Sequence, residues 1–327
     1  MHLLIAHAAP AGPQCQAALD SVPPLLKLPH LTALLSQLSL TDQRNGSPES
    51  MTPLHERIRA QSEGLDGPDG LMPWAAQEAQ SLGLEVAGSA WAWITPCHWQ
   101  INTDHVVMLE PQELALTAQE SSTLMEAMRE YFAEDGITLY PSQCANRVGW
   151  LAQGEVFRGL ATASLERVRG AIVDRWMPRE SGAKVLRRLQ NEMQMLLYRH
   201  PVNDARLAAK QSPVNSFWIS GTGDLPTRHN GKQSNTAPAL NLPFVMNDDL
   251  RASSVQDDAA AWLLAWEQLD QGLVKPLLDG SKSGKSVQLT LCGDIAAFTY
   301  SLQPQSFWKR IQLRLSPPSV APLLTQL

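Results

Sequence analysis

The spacing of apolar residues changes period several times along the chain, and each change predicts an element. Residues 2–9 form a largely apolar run, which predicts a buried first strand. A Pro-punctuated segment then leads into residues 28–38, where Leu28, Leu31, Leu34, Leu35 and Leu38 recur at helical spacing and give a β-then-α opening. Residues 41–70 are dense in Gly and Pro, which predicts loops with one short helix over 54–61, and a further short helix is expected over 74–82. From Ala90 to Leu109 the pattern turns β-branched and aromatic. Trp91-Ala92-Trp93-Ile94 and Val106-Val107-Met108-Leu109 read as two strands of a hairpin around a polar turn with Asn102-Thr103-Asp104.

Thr117 followed by Glu120 has capping-box spacing and opens a helix to about Phe132. Residues 185–198 carry Leu186, Leu189, Met193, Leu196 and Leu197 on one helical stripe, with Pro201 as the expected stop. Val214 to Ser220 is strand-like and ends at Gly221-Thr222-Gly223, and residues 226–240 read as a linker or surface loop. A helix follows over 257–269, then strands over 287–292 and 311–315, with Pro317-Pro318 ending the order. No internal repeat is visible, and strands scattered among helices throughout predict a mixed α/β fold.

Composition narrows the classes. With 327 residues, 44% hydrophobic and 18% charged, the chain can bury a sizeable core, and a net charge of −6 argues against a polybasic nucleic-acid binder. No apolar run approaches the roughly 18 residues of a membrane span. The start, Met1-His2-Leu3-Leu4-Ile5, lacks the basic region of a secretory signal. Cys15, Cys97, Cys144 and Cys292 are far apart with no CxxC pair, so a reducing cytoplasm is expected, with neither a zinc knuckle nor a disulfide framework. Ten tryptophans outnumber six phenylalanines and four tyrosines. Their same-face spacing points to packing, with a stacking groove or an exposed protein-binding face as the other readings, and buried indole N–H groups call for partners.

Several stretches invite chemical readings. Gly280-Ser281-Lys282-Ser283-Gly284-Lys285-Ser286 resembles a phosphate-binding loop but is one residue out of register, since Asp279 stands where the first glycine belongs, and a strand follows it, so a solvated turn is expected. His98 and His105 flank the hairpin turn and are the metal-ligand candidates, yet nothing supplies a further ligand set and no metal is expected there. Ser220 before the double-glycine turn is not a nucleophile elbow, although the amides of Gly221 and Gly223 could approach an anion. The densest cluster is His200, Asn203 and Arg206 followed by Asn215, Ser216 and Trp218. It suits either charge-assisted binding of a phosphorylated or carboxylated ligand or the fixing of loops through buried backbone, and the residue types leave both open.

His200-Pro201-Val202-Asn203-x-x-Arg206, Pro213-x-Asn215-Ser216-x-Trp218 and Gly221-x-Gly223 together resemble the signature of the archaeal-type cofactor-independent phosphoglycerate mutases, of the alkaline phosphatase superfamily. The first strand with Leu28-Pro29-His30-Leu31, and Glu110-Pro111-Gln112-Glu113-Leu114, are similar to further parts of those proteins. Phrases such as Pro96-Cys97-His98-Trp99-Gln100, Glu134-Asp135-Gly136-Ile137 and residues 188–198 resemble, over nearly the whole chain, a proteobacterial group of phosphoglycerate-mutase-like and Rpf type E regulatory proteins. The resemblance implies one alkaline-phosphatase-like α/β domain over 1–327, with a central mixed sheet flanked by helices and a mainly helical insertion over 112–200. It also implies a serine nucleophile soon after the first strand and two metal ions held by Asp and His. This chain departs from that pattern. The first strand ends in Ala6-His7-Ala8-Ala9-Pro10 without an aspartate, the first serine is Ser21, and Leu289-Thr290-Leu291-Cys292-Gly293-Asp294 is followed by Ile295 where the pattern has histidine. A bimetal site without its ligands cannot neutralise a transferring phosphoryl group. The expectation is therefore a degenerate, non-catalytic scaffold without cofactor, bound to a phosphorylated small molecule or a protein partner and to neither nucleic acid nor membrane. The alternative is an active, divalent-metal-dependent mutase or phosphatase using other residues.

Overall fold

The computed structural model describes residues 1–142, 148–179, 183–225, 242–303 and 319–327. They divide into two compact units. Unit 1 comprises Met1–Glu49, Pro53–Glu63 and Gln233–Leu327, and unit 2 comprises Ser50–Thr52 and Gly64–Lys232. In chain order, unit 1 supplies β1 (His2–Ile5), α1 (Pro13–Leu19), α2 (Pro29–Leu35), β2 (Ser39–Asn45) and α3 (Leu54–Ser62). Unit 2 supplies α4 (Trp74–Ser81), β3 (Trp91–Cys97), β4 (Trp99–Ile101), β5 (Val106–Met108), α5 (Ala118–Glu134), β6 (Thr138–Pro141), β7 (Trp150–Gln153), α6 (Leu165–Val168), α7 (Ala183–Tyr198), α8 (Pro201–Ala208) and β8 (Ser216–Gly223). The chain then completes unit 1 with β9 (Phe244–Asn247), α9 (Arg251–Val255), α10 (Ala259–Leu269), α11 (Lys275–Lys282), β10 (Gln288–Cys292), β11 (Ala296–Ser301) and α12 (Ala321–Leu324).

Unit 1 is built on a mixed five-stranded sheet in the order β2-β11-β10-β1-β9. β1 runs parallel to both β9 and β10, and β11 and β2 are antiparallel additions. The continuous apolar run of β1 follows from burial on both faces. Leu3 and Ile5 join Leu289 and Leu291 against α1, α2, α10 and α11, and Leu4 and Ala6 join Cys292 against Leu54 and Ile58 of α3. Two helices of this unit are capped from far along the sequence. Asp270, 1% exposed, accepts the Leu31 N–H at 2.7 Å and the His30 N–H at 3.1 Å at the start of α2. It opens a π-helical turn, Asp270–Val274, between α10 and α11. Asp257, held at φ +53°, accepts the N–H groups of Gln14 and Cys15 at the start of α1, where a Cβ on Gly12 would lie 2.3 Å from its carboxyl carbon.

Unit 2 carries an antiparallel sheet in the order β6-β7-β3-β8 and a two-stranded ribbon of β4 and β5. One face of the larger sheet, with Ile94, Trp150, Phe217 and Ile219, is covered by the apolar stripes of α5 and α7. On the other face Trp91 and Leu151 pack against the alanines of α4, and Cys97 and Trp218 pack with Trp176.

Several expectations change. The mixed α/β class with a mixed sheet flanked by helices is as expected. The second unit, Ser50–Thr52 and Gly64–Lys232, has its own sheet, in which β3 and β8, outside 112–200, carry the core that α5 and α7 cover. The hairpin is smaller than expected: β3 pairs with β7 and β8, and only β4 and β5 pair across the polar turn. Pro201 does not end helical structure but opens α8 as its first residue, where its missing N–H costs nothing and His200 is the N-cap. Gly221-Thr222-Gly223 continues β8 rather than ending it. Gly280 to Lys282 closes α11, so that part of the supposed turn is helical and the turn begins at Ser283. The linker over 226–240, the strand over 311–315, Pro317-Pro318 and Cys144 lie outside the described residues.

Candidate functional site

The signature residues of 200–223 all lie in unit 2, and the sequence folds them inward. His200, at φ −79° and ψ 133°, accepts the Val202 N–H on its Nδ1 at 3.3 Å, the extended backbone that precedes a proline. One turn on, Asn203 is 3% exposed. Its Nδ2 donates to the carbonyls of Leu197 (2.8 Å) and Val214 (2.6 Å), and its Oδ1 accepts the Val214 N–H at 2.9 Å, tying α7, α8 and the approach to β8 together. Arg206, 1% exposed, donates to the Ser212 carbonyl at 2.9 Å, to Glu120 Oε1 at 3.0 Å and to the Leu114 carbonyl. Glu120 also closes the expected capping box on Thr117. Partial burial works against its ionisation, but the Thr117 N–H and hydroxyl and the Arg206 guanidinium outweigh it and hold the carboxyl below its usual range.

Asn215 accepts the Trp99 N–H at 2.7 Å and donates to the Trp99 carbonyl at 2.9 Å, and Trp218 donates its indole N–H to the Ala163 carbonyl at 3.0 Å. Gly221, at φ +63°, lies under the Trp93 ring, where a Cβ would come within 2.6 Å of a ring carbon, and Gly223 sits against Pro73. The two glycines admit side chains rather than an anion. Ser216 and Ser220 are buried, and neither hydroxyl has a partner among the described residues. The eight residues thus share a fold region, but the hydrogen-bonding groups of Asn203, Arg206, Asn215 and Trp218 are spent on the protein. These are the bonds that the loop-fixing reading expects of them.

His98 and His105 are not brought together. The ribbon register pairs Trp99 with Met108 and Ile101 with Val106, so His98 lies at its base and His105 near its tip. His98 Nδ1 donates to the Pro213 carbonyl at 2.7 Å, and His105 lies 2.5 Å from Asp104 Oδ1. The tryptophans do not form an exposed face. Trp91, Trp150, Trp218, Trp262 and Trp266 are buried, Trp74 and Trp176 nearly so, and none is exposed among the described residues. The expected N–H partners exist for Trp93 (Glu78), Trp150 (Ser121) and Trp218, but Trp91, Trp99, Trp262 and Trp266 have none among the described residues. Burial pushes the Cys97 thiol up strongly and the Cys15 thiol to about 11, which makes both unreactive packing groups.

A pair that the sequence reading missed lies in unit 1. His7 ends the β1 segment in the left-handed region at φ +53°, and its ring faces that of His55 on α3, with centroids 5.1 Å apart and planes 55° apart. One ring nitrogen of each lies within 4.8 Å of the other, and His55 is 6% exposed. The signal available was a histidine at the end of a strand of the parallel sheet, where open α/β sheets place ligands. The partner, forty-eight positions on, carried none.

Comparison with known proteins finds similarity to phosphoglycerate mutases over about half of the chain. The chain is 25% identical over 150 residues to a Geobacter sulfurreducens protein described as "Probable 2,3-bisphosphoglycerate-independent phosphoglycerate mutase", covering 46% of this chain and 37% of that one. It is 24% identical over 152 residues to the 2,3-bisphosphoglycerate-independent phosphoglycerate mutase of Methanosarcina mazei, with the same coverage. The phosphoglycerate mutases are distant homologues of this chain. The matched stretch spans little more than a third of their length. Among solved structures, the cofactor-independent phosphoglycerate mutase of Thermoplasma acidophilum aligns over 91% of this chain and 89% of its own at 12% identity and a TM-score of 0.36. The PH0037 protein of Pyrococcus horikoshii aligns over 92% and 87%, also at 12% identity, with a TM-score of 0.44. No family model matches the chain. No helix among the described residues is long and apolar enough to cross a membrane.

Proposed function

We propose that the protein is a degenerate relative of the cofactor-independent phosphoglycerate mutases, of alkaline-phosphatase-like ancestry, which acts as a regulatory or ligand-binding protein and not as a phosphoryl-transfer enzyme. The observation that carries this reading is the inward commitment of the signature: Asn203 and Arg206 are buried and bonded to backbone carbonyls and Glu120, so what the chain shares with the mutases is scaffold. The chemistry expected beside that scaffold has no counterpart at the strand ends. Residues 6–10 contain neither carboxylate nor hydroxyl, and Ile295 follows Asp294. The aspartate and histidine that the resemblance implies for a two-metal arrangement are thus missing from these two strand ends.

Purified protein assayed for interconversion of 2- and 3-phosphoglycerate with Mn²⁺, Mg²⁺ or Zn²⁺ is expected to show no turnover above background. Chelator-sensitive turnover would overturn the reading. A thermal-shift screen of phosphorylated metabolites identifies a retained ligand, because a ligand that binds only the native state raises the midpoint.

A further inference from the structure

We propose that β2 is a self-pairing edge, through which unit 1 binds a second copy of this chain by antiparallel strand addition. This interface goes beyond the proposed function and holds whether or not the chain binds a phosphorylated ligand.

β2 is the first strand of the order β2-β11-β10-β1-β9, and at seven residues against the four of β9 it is the longer edge of that sheet. An edge strand offers a row of backbone donors and acceptors to another chain. The ladder with β11 fixes which residues offer them. The Gly46 N–H donates to the Ile295 carbonyl at 2.8 Å and flanks the Asn45–Ala296 pair, which makes that pair one of the non-hydrogen-bonded kind. The two kinds alternate along an antiparallel ladder, so Arg44 and Asp42 spend their backbone groups on β11 while Gln43 and Asn45 turn theirs to the open edge. Thr41, Gln43 and Asn45 are exposed, and no strand among the described residues lies beyond them.

Charge selects both the partner and the register. Asp42 and Arg44 share one face of β2, half-exposed, with Arg44 Nε 2.7 Å from Asp42 Oδ2. A two-fold interface places the same strand on both sides, running in opposite directions. Centred on residue 42 or 44, it would set Asp42 against Asp42 or Arg44 against Arg44 of the copy, which is destabilising. Centred on Gln43, it bonds the two outward Gln43 backbones to each other and sets Asp42 opposite Arg44 twice, in the closely spaced non-hydrogen-bonded positions. The ion pair within each strand is thereby exchanged for two between strands. Edge charges of one sign would repel a copy in every register, whereas this pair of opposite signs accepts one.

Sedimentation velocity on the full chain over a dilution series is expected to show a monomer–dimer equilibrium. Asp42→Arg and Arg44→Asp, each alone, set like charges opposite one another and should weaken association by more than about tenfold. An equimolar mixture of the two single variants should recover the dimer as a heterodimer, and the double variant Asp42→Arg/Arg44→Asp should recover it as a homodimer. Gln43→Pro removes an N–H that the ladder with β11 does not use, so it should abolish dimerisation and leave a monomer that is folded by circular dichroism. A monomer at every concentration, a dimer indifferent to Gln43→Pro and to both charge reversals, or single variants that stay monomeric when mixed would each overturn the proposal.

Discussion

The stretch 200–223 in unit 2 and the carboxyl end of β1 in unit 1 treat polar residues in opposite ways. In the first, Asn203, Arg206 and Asn215 look chemical by type and are consumed by architecture: each bonds to main chain, and Arg206 also pairs with Glu120. In the second, His7 and His55 belong to no motif, yet they bring two ring nitrogens together beside a strand end. In this chain the signature residues therefore mark buried contacts. Chemistry is reported by donor atoms from separate elements converging at one place.

The comparison can be broken most directly at Arg206. Arg206→Met leaves Glu120 without its buried cation and two carbonyls without a donor, and equilibrium unfolding in urea should show a loss of about 3–5 kcal/mol. An Arg206→Met protein that keeps its stability but loses a ligand detected in the thermal-shift screen would move this residue back to the chemical side. Asn203→Ala removes both amide bonds and orphans the Val214 N–H, for an expected cost of about 2–3 kcal/mol by the same measurement.

A third effect concerns pH and lies at the opposite end of β1. His2 bonds through Nε2 to the Thr290 hydroxyl at 2.8 Å. Burial, then the N-terminal ammonium and Arg44, push its pKa down to about 4. Because the folded value lies below the unfolded value of about 6.5, the unfolded chain takes up the proton first. Stability is full above pH 6.5 and falls as the pH drops toward 4, by about 2 kcal/mol after allowance for partial exposure. Unfolding curves between pH 7 and 4 should show this slope, and His2→Gln should flatten it. Smallest, and opposite in sign, is His7→Gly: relief of the left-handed backbone should add about 1 kcal/mol.

Much of the fold was legible because it rests on local signals. The run of β1, the Thr117–Glu120 capping box and the stripe of α7 each place an element within a few residues of where it stands. What was illegible depends on partners distant in sequence. β2 is a polar edge strand defined by its pairing with β11, so no apolar alternation announces it. Asp257 and Asp270 cap helices more than two hundred positions away, and nothing near Pro13 or Pro29 foretells a carboxylate there. The candidate site divided along the same line. The signature could be read as a cluster of residue types, but whether Asn203 pointed to solvent or to the Val214 carbonyl was settled by packing, and His55 became visible only once α3 had met the end of β1.

The order of strands has a further consequence for how the chain is made. Leu4 of β1 pairs with Met246 on one side and Thr290 on the other, so this interior strand of unit 1 leaves the ribosome long before either neighbour exists. Unit 2, whose elements lie between them, is synthesised whole in the interval and can close its own core first. Until β9 and β10 emerge, Leu3, Leu4 and Ile5 are an apolar segment without its strand partners on a nascent chain.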